Sequence, residues 1–173
     1  MAIPVYMFMT DDAGNKIKGS VDVKGREHSA EVLGLHHAVS LPVDNASGKI
    51  TGKHRHLAYL IEKETDASTP YPYQALSKGK TLKSAELKFY RINHAGQEEE
   101  YFNTLLEDVK VVTILPIMHD IKDRTKENFN HMEAIELRYK KITWRYLDGN
   151  VIHTDSWNDR KTATTEFNNP INL

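Results

Sequence analysis

The stretch Leu115–Trp144, LPIMHDIKDRTKENFNHMEAIELRYKKITW, joins a polar loop directly to a long run of strand character. Between Met118 and His131 the residues are rich in Asp, Lys and Asn and follow no apolar period. Beyond them Ile135, Leu137 and Tyr139 alternate with more polar neighbours, the period of a half-buried strand. The parity then changes, because Ile142, Trp144 and Tyr146 fall on even positions. Successive side chains of a strand point to opposite faces, so such a switch needs an inserted residue, and a β-bulge is expected near Lys140 and Lys141. A bend of that kind is what the wall of a barrel requires.

Outward from this stretch, strand signals dominate. Upstream, Val109–Leu115 is apolar enough to predict a strand buried on both faces and ended by Pro116. Ala85, Leu87 and Phe89 alternate with Glu86, Lys88 and Tyr90, and a turn over Asn93–Gln97 leads into Glu100–Leu106, which predicts a hairpin. Near the start, Val5, Met7 and Met9 alternate with Tyr6, Phe8 and Thr10 before a turn at Asp12, Gly14 and Asn15. Val32–Leu41 reads as another strand, ended by Pro42, with Leu33 and Leu35 on the expected core face and Val32, Gly34 and His36 on the other. Downstream, Asp148, Gly149 and Asn150 supply a tight turn that returns the chain through Val151 and Ile152. One segment reads as a helix of two to three turns, with Ser68 as N-cap, Pro70 in the first turn and Gly79 as stop. Many short strands with a single helix predict a mainly β protein, a closed barrel or sandwich, over residues 1–158, followed by a polar and flexible tail at 159–173.

Bulk composition removes several classes. A chain of 173 residues with 39% hydrophobic residues can bury a core of one domain. Its 23 basic and 24 acidic residues leave a formal charge of −1, with no global field to attract nucleic acid or an anionic membrane. Cysteine is absent, which excludes disulfides, thiolate metal sites and cysteine nucleophiles. The apolar start Met1–Met9 has no basic leader and contains Pro4, so it makes a poor signal peptide. No segment approaches the roughly 20 apolar residues of a membrane-spanning helix, and a cytoplasmic product is expected.

The chemistry-bearing residues form no complete set. His54 and His56, in KHRH at 53–56, have the spacing of two ligands on one strand face, but no third ligand stands at a recognisable spacing and Lys53 and Arg55 disfavour a cation. The stretch therefore reads as a solvated basic loop. His36 and His37 point to opposite faces of a strand, which predicts one packed and one exposed. His119, Asp120, His131 and Glu133 could be drawn as an acid/base set, but no nucleophile accompanies them, and side-chain to backbone hydrogen bonds within the loop account for them better. Gly79, Lys80 and Thr81 resemble the end of a phosphate loop, yet Gln74 stands where its first glycine belongs. Tyr71 and Tyr73 suit packing of the helix on the barrel, or stacking on a sugar if exposed. No catalytic residue, metal or cofactor is expected.

Four segments in order carry a resemblance: Met1–Val23 (MAIPVYMF...GSVDV), Thr81–Asn93 (TLKSAELKFYRIN), Leu115–Trp144 and Asp155–Trp157 (DSW). Together they resemble the haemolysin-coregulated protein (Hcp) family of bacterial type VI secretion, from Met1 to about Asn158. The resemblance implies a two-sheet, tail-tube-like β-barrel with one short helix at its side, and a non-enzymatic structural role. It further implies hexameric rings that stack into an inner tube, formed in the cytoplasm and exported without a signal peptide. The implied partners are further copies of the chain, a spike protein, the contractile sheath and effector proteins, with neither nucleic acid nor membrane insertion. In this frame the connection Asp44–His56, longer than a hairpin needs, is the expected ring-stacking loop, carried by Asn45, Ser47, Lys49, Thr51, Lys53 and Arg55. The face with Gly34 and His36 is the expected lumen surface. The alternatives are a monomeric carbohydrate-binding β-sandwich that uses Tyr71 or Trp157, and a metal-dependent enzyme that uses the histidines.

Overall fold

A computed structural model describes residues 3–157, so the tail at 159–173 lies outside the described residues. In chain order the elements are β1 Val5–Thr10, β2 Lys16–Ile17, β3 Ala30–His36, β4 Val39–Ser40, β5 Arg55–His56, β6 Tyr59–Glu64, α1 Pro70–Lys78, β7 Leu82–Ile92 and β8 Glu98–Ile117. A short 3-10 turn at Arg124–Lys126 precedes β9 Met132–Arg138, β10 Lys141–Tyr146 and β11 Val151–Ser156. Neighbouring strands follow the order β11-β10-β8-β7-β1-β3-β6-β9, and a further β8–β9 pairing closes the six strands β8, β7, β1, β3, β6 and β9 into a barrel. Closure buries one face of every barrel strand and removes the open edges that a flat sheet would present.

The 20 residues of β8 serve two sets of neighbours. Its first half pairs with β7, from Ile92↔Glu98 to Leu82↔Val109. On its other edge that half carries β10, from Tyr146↔Phe102 to Lys141↔Glu107. Its second half pairs with β9, from Lys110↔Arg138 to Ile117↔Met132, and this register closes the barrel. The core is the inward set of these strands: Met7, Val32, Ile61, Ala85, Leu87, Leu106, Val109, Ile135, Leu137 and Ile142. Wholly buried leucines such as Leu87 and Leu106 cost about 2–5 kcal/mol each when truncated to alanine.

The alternation expected for β1 and β7, the hairpin between β7 and β8 and the return through Val151 are all present. Other expectations require correction. The parity switch near Lys140 is real, but it is a break at Tyr139 and Lys140 between two strands that both pair with β8, and not a bulge within one strand. Val109–Leu115 is not buried on both faces: β8 runs on through Pro116, and Val112 and Leu115 are exposed. Among the described residues no strand pairs with the β7 side of β8 beyond Val109, so a missing amide proton at Pro116 breaks no ladder there. In β3 a register shift between Val32 and Gly34 makes Leu33 the extra residue. Val32 therefore points into the core and Leu33 is 48% exposed, the reverse of the parity reading. Leu35, beyond the shift, packs on the core as expected.

The helix spans nine residues and ends at Gly79, whose φ of 64° is the left-handed conformation that glycine adopts at least cost. Its N-cap position is Thr69 and not Ser68, whose hydroxyl instead donates to Asp66. It turns Pro72 and Ala75 inward, and Tyr71 and Tyr73 are exposed, so the tyrosines are not the packing face. Gly19 is required by close backbone approach, since a Cβ there would lie 2.2 Å from the carbonyl oxygen of Ser29.

The inward period of β6, Tyr59, Ile61, Lys63, brings a lysine ammonium into the barrel end. Cross-strand pairing sets Glu133 opposite Lys63, with Nζ 2.6 Å from Oε1 and 2.9 Å from Asp66 Oδ1. Glu133 is thereby fully committed to a buried ion pair and is unavailable for acid/base work with His119 or His131. Loss of one partner strands the other charge in low dielectric. Glu133→Ala is expected to lower the unfolding free energy by about 3–5 kcal/mol in urea denaturation, and Lys63→Met combined with Glu133→Leu is expected to cost less than the single change. Burial pushes the Asp66 carboxyl up, but hydrogen bonds from Ser68 and Lys63 outweigh this and hold it below its ordinary value. As pH falls the unfolded chain takes that proton first, so the contribution of Asp66 is intact above about pH 4 and lost below it. Urea midpoints below about pH 4 should therefore fall more steeply in the parent protein than in Asp66→Asn.

Candidate functional site

Between β3 and β6 the chain leaves the barrel as a two-stranded arm. Its root is the β4–β5 pairing, Val39↔His56 and Ser40↔Arg55, and a bridge Val43↔Ile50 extends the ladder to a tip closed by Asp44 N–H on Lys49 O at 2.8 Å. Asn45, Ser47, Lys49, Thr51, Lys53 and Arg55 are all exposed along it. The arm is not merely polar, however: Leu41, Val43, Ile50 and Leu57 are between 47% and 63% exposed. Contiguous apolar residues held in water on a protruding element mark a contact surface rather than a solvated loop.

The root of the arm is bound to the barrel by aromatic and imidazole groups from four elements. His56 is buried, contrary to its reading as part of a solvated loop. Its Nδ1 lies 2.7 Å from the Tyr139 hydroxyl and its Nε2 2.8 Å from Asp155 Oδ2. His54 Nε2 reaches the same Asp155 oxygen at 2.7 Å. His37 Nε2 lies 2.7 Å from the Tyr139 hydroxyl from the other side, and its ring stacks on Tyr59 at 4.8 Å. His36 is exposed, so the histidine pair divides as the alternation predicts. Trp157 completes the cluster, stacked on His56 at 5.7 Å and covered by the Arg138 guanidinium at 4.6 Å.

These environments set the charges. Burial and the neighbouring His56 lower the pKa of His37, which favours its neutral ring. Burial raises the Asp155 carboxyl, yet hydrogen bonds from His56 and the Ser156 amide outweigh it and keep it below the ordinary range. Tyr139 is raised by burial and by Tyr59 and Asp155, and burial pushes Tyr59 up to about 12, so both phenols keep their protons. With one proton, the Tyr139 hydroxyl donates to one imidazole and accepts from the other.

His54 and His56 are legible in the sequence as a pair, whereas the third member of their set, Asp155, is not. Asp155 is a hundred residues away and reaches them only because β11 ends beside the arm root. His119, Asp120 and His131 are not brought into this cluster. Asp120 accepts the Lys122 N–H and Asp123 accepts the Thr125 N–H and hydroxyl, so that loop is held by side-chain to backbone hydrogen bonds as expected. Gly34 and His36 lie on β3, where His36 and Leu33 face outward.

The described residues thus form a closed β-barrel with a protruding, partly apolar arm whose root is tied down by His37, His54 and His56. The family described as "Type VI secretion system effector, Hcp" matches the chain over residues 6–146. The chain is 33% identical to the "Major exported protein" of Pseudomonas aeruginosa, across 91% of this chain and 96% of that one. Its fold matches a doubly substituted Hcp1 from E. coli EAEC 042 with a TM-score of 0.82 and 54% identity, covering 90% of this chain and 99% of that one. It also matches the secreted protein Hcp3 of Pseudomonas aeruginosa with a TM-score of 0.70 and 28% identity, covering 91% and 99% of the two chains. The chain belongs to the Hcp family of type VI secretion.

Tyr139→Phe removes the hydroxyl shared by His37 and His56 and leaves two ring nitrogens without their partner. It is expected to cost about 1–3 kcal/mol in urea denaturation without loss of the barrel, as read by far-ultraviolet circular dichroism.

Proposed function

We propose that the chain is a non-enzymatic tube component, whose copies close into hexameric rings that stack through the arm and carry effectors during export. The observation that carries this reading is the arm itself. It holds Leu41, Val43 and Ile50 in water on a ladder too narrow to bury them, and its root is tied down by a buried hydrogen-bonded cluster. An apolar element that is rigid before it meets its partner loses little conformational entropy on docking, which is how a repeated contact gains affinity.

Ring closure uses heterologous contacts, the same two unlike surfaces on every copy. Two further exposed apolar sets suit that purpose: Val112, Leu115, Met118 and Ile121 along the second half of β8 and after it, and Val151 with Ile152 on the edge strand β11. The lumen in this reading is lined by the outer face of β3, where Gly34 and His36 stand. Spike protein and contractile sheath are the remaining partners, reached through the ends and outer wall of the stacked tube. The sugar-binding reading keeps the exposed Tyr71 but loses Trp157, whose ring is already occupied by His56 and Arg138.

Light scattering after size-exclusion chromatography is expected to give a species near six times the 19.8 kDa chain mass. Replacing residues 44–51 with a tight turn should leave that species intact while abolishing tubes in electron microscopy. A strict monomer at all concentrations, or tubes that persist without the arm tip, would overturn the proposal. In the same rings His36→Asp is expected to reduce the amount of co-purifying effector without altering their mass.

A further inference from the structure

The cluster at the arm root has a feature that anchoring alone does not require: two imidazoles aim at one carboxylate oxygen. His54 Nε2 and His56 Nε2 stand 2.7 and 2.8 Å from Asp155 Oδ2, and the three potential ligand atoms lie within 4.8 Å of one another. The site is neither sealed nor open. His56 is wholly buried, Asp155 is 22% exposed and His54 is 43% exposed, which leaves one side open to an entering ion and its water.

We propose that His54, His56 and Asp155 form a binding site for a divalent transition metal, Zn²⁺ foremost, which clips the arm to the end of β11. Two neutral imidazoles and a carboxylate are ligands that borderline cations favour, and three protein ligands leave a fourth position for water. Metal–ligand distances of about 2.0–2.1 Å separate the ligand atoms of a tetrahedral site by about 3.3 Å, so each Nε2–Oδ2 distance must open by roughly half an ångström. Exposed His54 can move for the first pair, and the partly exposed Asp155 for the second.

A metal-bound imidazole is normally oriented by a hydrogen bond from its other ring nitrogen, and His56 Nδ1 has Tyr139 for that purpose. Without an ion, both Nε2–H groups donate to Asp155, His56 Nδ1 accepts from Tyr139, and Tyr139 accepts from His37 Nε2–H. With the ion bound, His54 and His56 present bare Nε2 atoms to it and carry their protons on Nδ1. His56 then donates to Tyr139, and Tyr139 donates to His37 Nε2, whose proton moves to Nδ1. Arg55 lies on the opposite face of β5 from His56 and is exposed, so solvent screens its repulsion of the cation.

The test uses the full untagged chain, freed of metal by chelation and titrated with Co²⁺, whose visible absorption reports tetrahedral coordination, then with Zn²⁺ in competition. One Co²⁺ per chain with a tetrahedral spectrum, displaced by one Zn²⁺, is expected. His54→Ala and Asp155→Asn should weaken binding about 100-fold or more, Tyr139→Phe by about 10–100-fold, and His119→Ala should bind as the parent does. Nitrogen NMR of the imidazoles should show His37 exchanging its Nε2 proton for Nδ1 when Zn²⁺ binds. Absence of one-to-one binding, or binding that survives His54→Ala and Asp155→Asn in folded protein, would overturn the proposal. Neither result depends on whether rings or tubes form.

Discussion

The length of β8 is the constraint on which the rest of the structure depends. A strand of 20 residues is far longer than one barrel wall needs, and the excess lets it take β7 and β10 along its first half and β9 along its second. Closure of the barrel, the placement of β11 and the position of Asp155 all follow from that double use. The chain between β9 and β10 must break where the two halves meet, because a continuous strand could not bury both Leu137 and Ile142 against the same core. Tyr139 falls at this break, and its side chain is thereby free to turn inward to the arm root.

The arm and the barrel end solve opposite problems. At the barrel end a lysine is buried because the inward period of β6 places it there, and Glu133 and Asp66 must neutralise it. At the arm, apolar side chains stay in water because the ladder is too narrow to cover them. The first arrangement is satisfied within the chain itself, whereas the second becomes favourable only when another surface arrives. The proposed tube needs both. The barrel must persist alone, and the contact surface must be ready before the partner comes.

Much of this was legible in the residues. The alternation of Val5 to Thr10 and Ala85 to Tyr90 decided two strands, since a period of two has one structural meaning when one face is buried. Gly79 marked the helix end because few other residues accept its backbone angles. The bulge at Leu33 was not legible, because Val32, Leu33 and Leu35 are all apolar and hydrophobicity cannot say which of them is the extra residue. Pro116 misled for a related reason: a proline ends a strand only where its amide would have been needed, and the neighbouring strand that decides this is set by topology. The solvated reading of KHRH failed at His56 because charge patterning describes the segment, while its burial is decided by Tyr139 and Trp157 from the far end of the chain.

The sequence by itself determined the strand-rich class, the single helix, the absence of cysteine chemistry and, through four ordered segments, the family. These are properties of local period, turn chemistry and composition, which act over a few residues. Only the tertiary structure decided that His54, His56 and Asp155 converge, that Tyr139 bridges two histidines and that Lys63 is held by Glu133. Each of those joins residues far apart in sequence, and the loop closures that bring them together are fixed by strand register across the whole barrel.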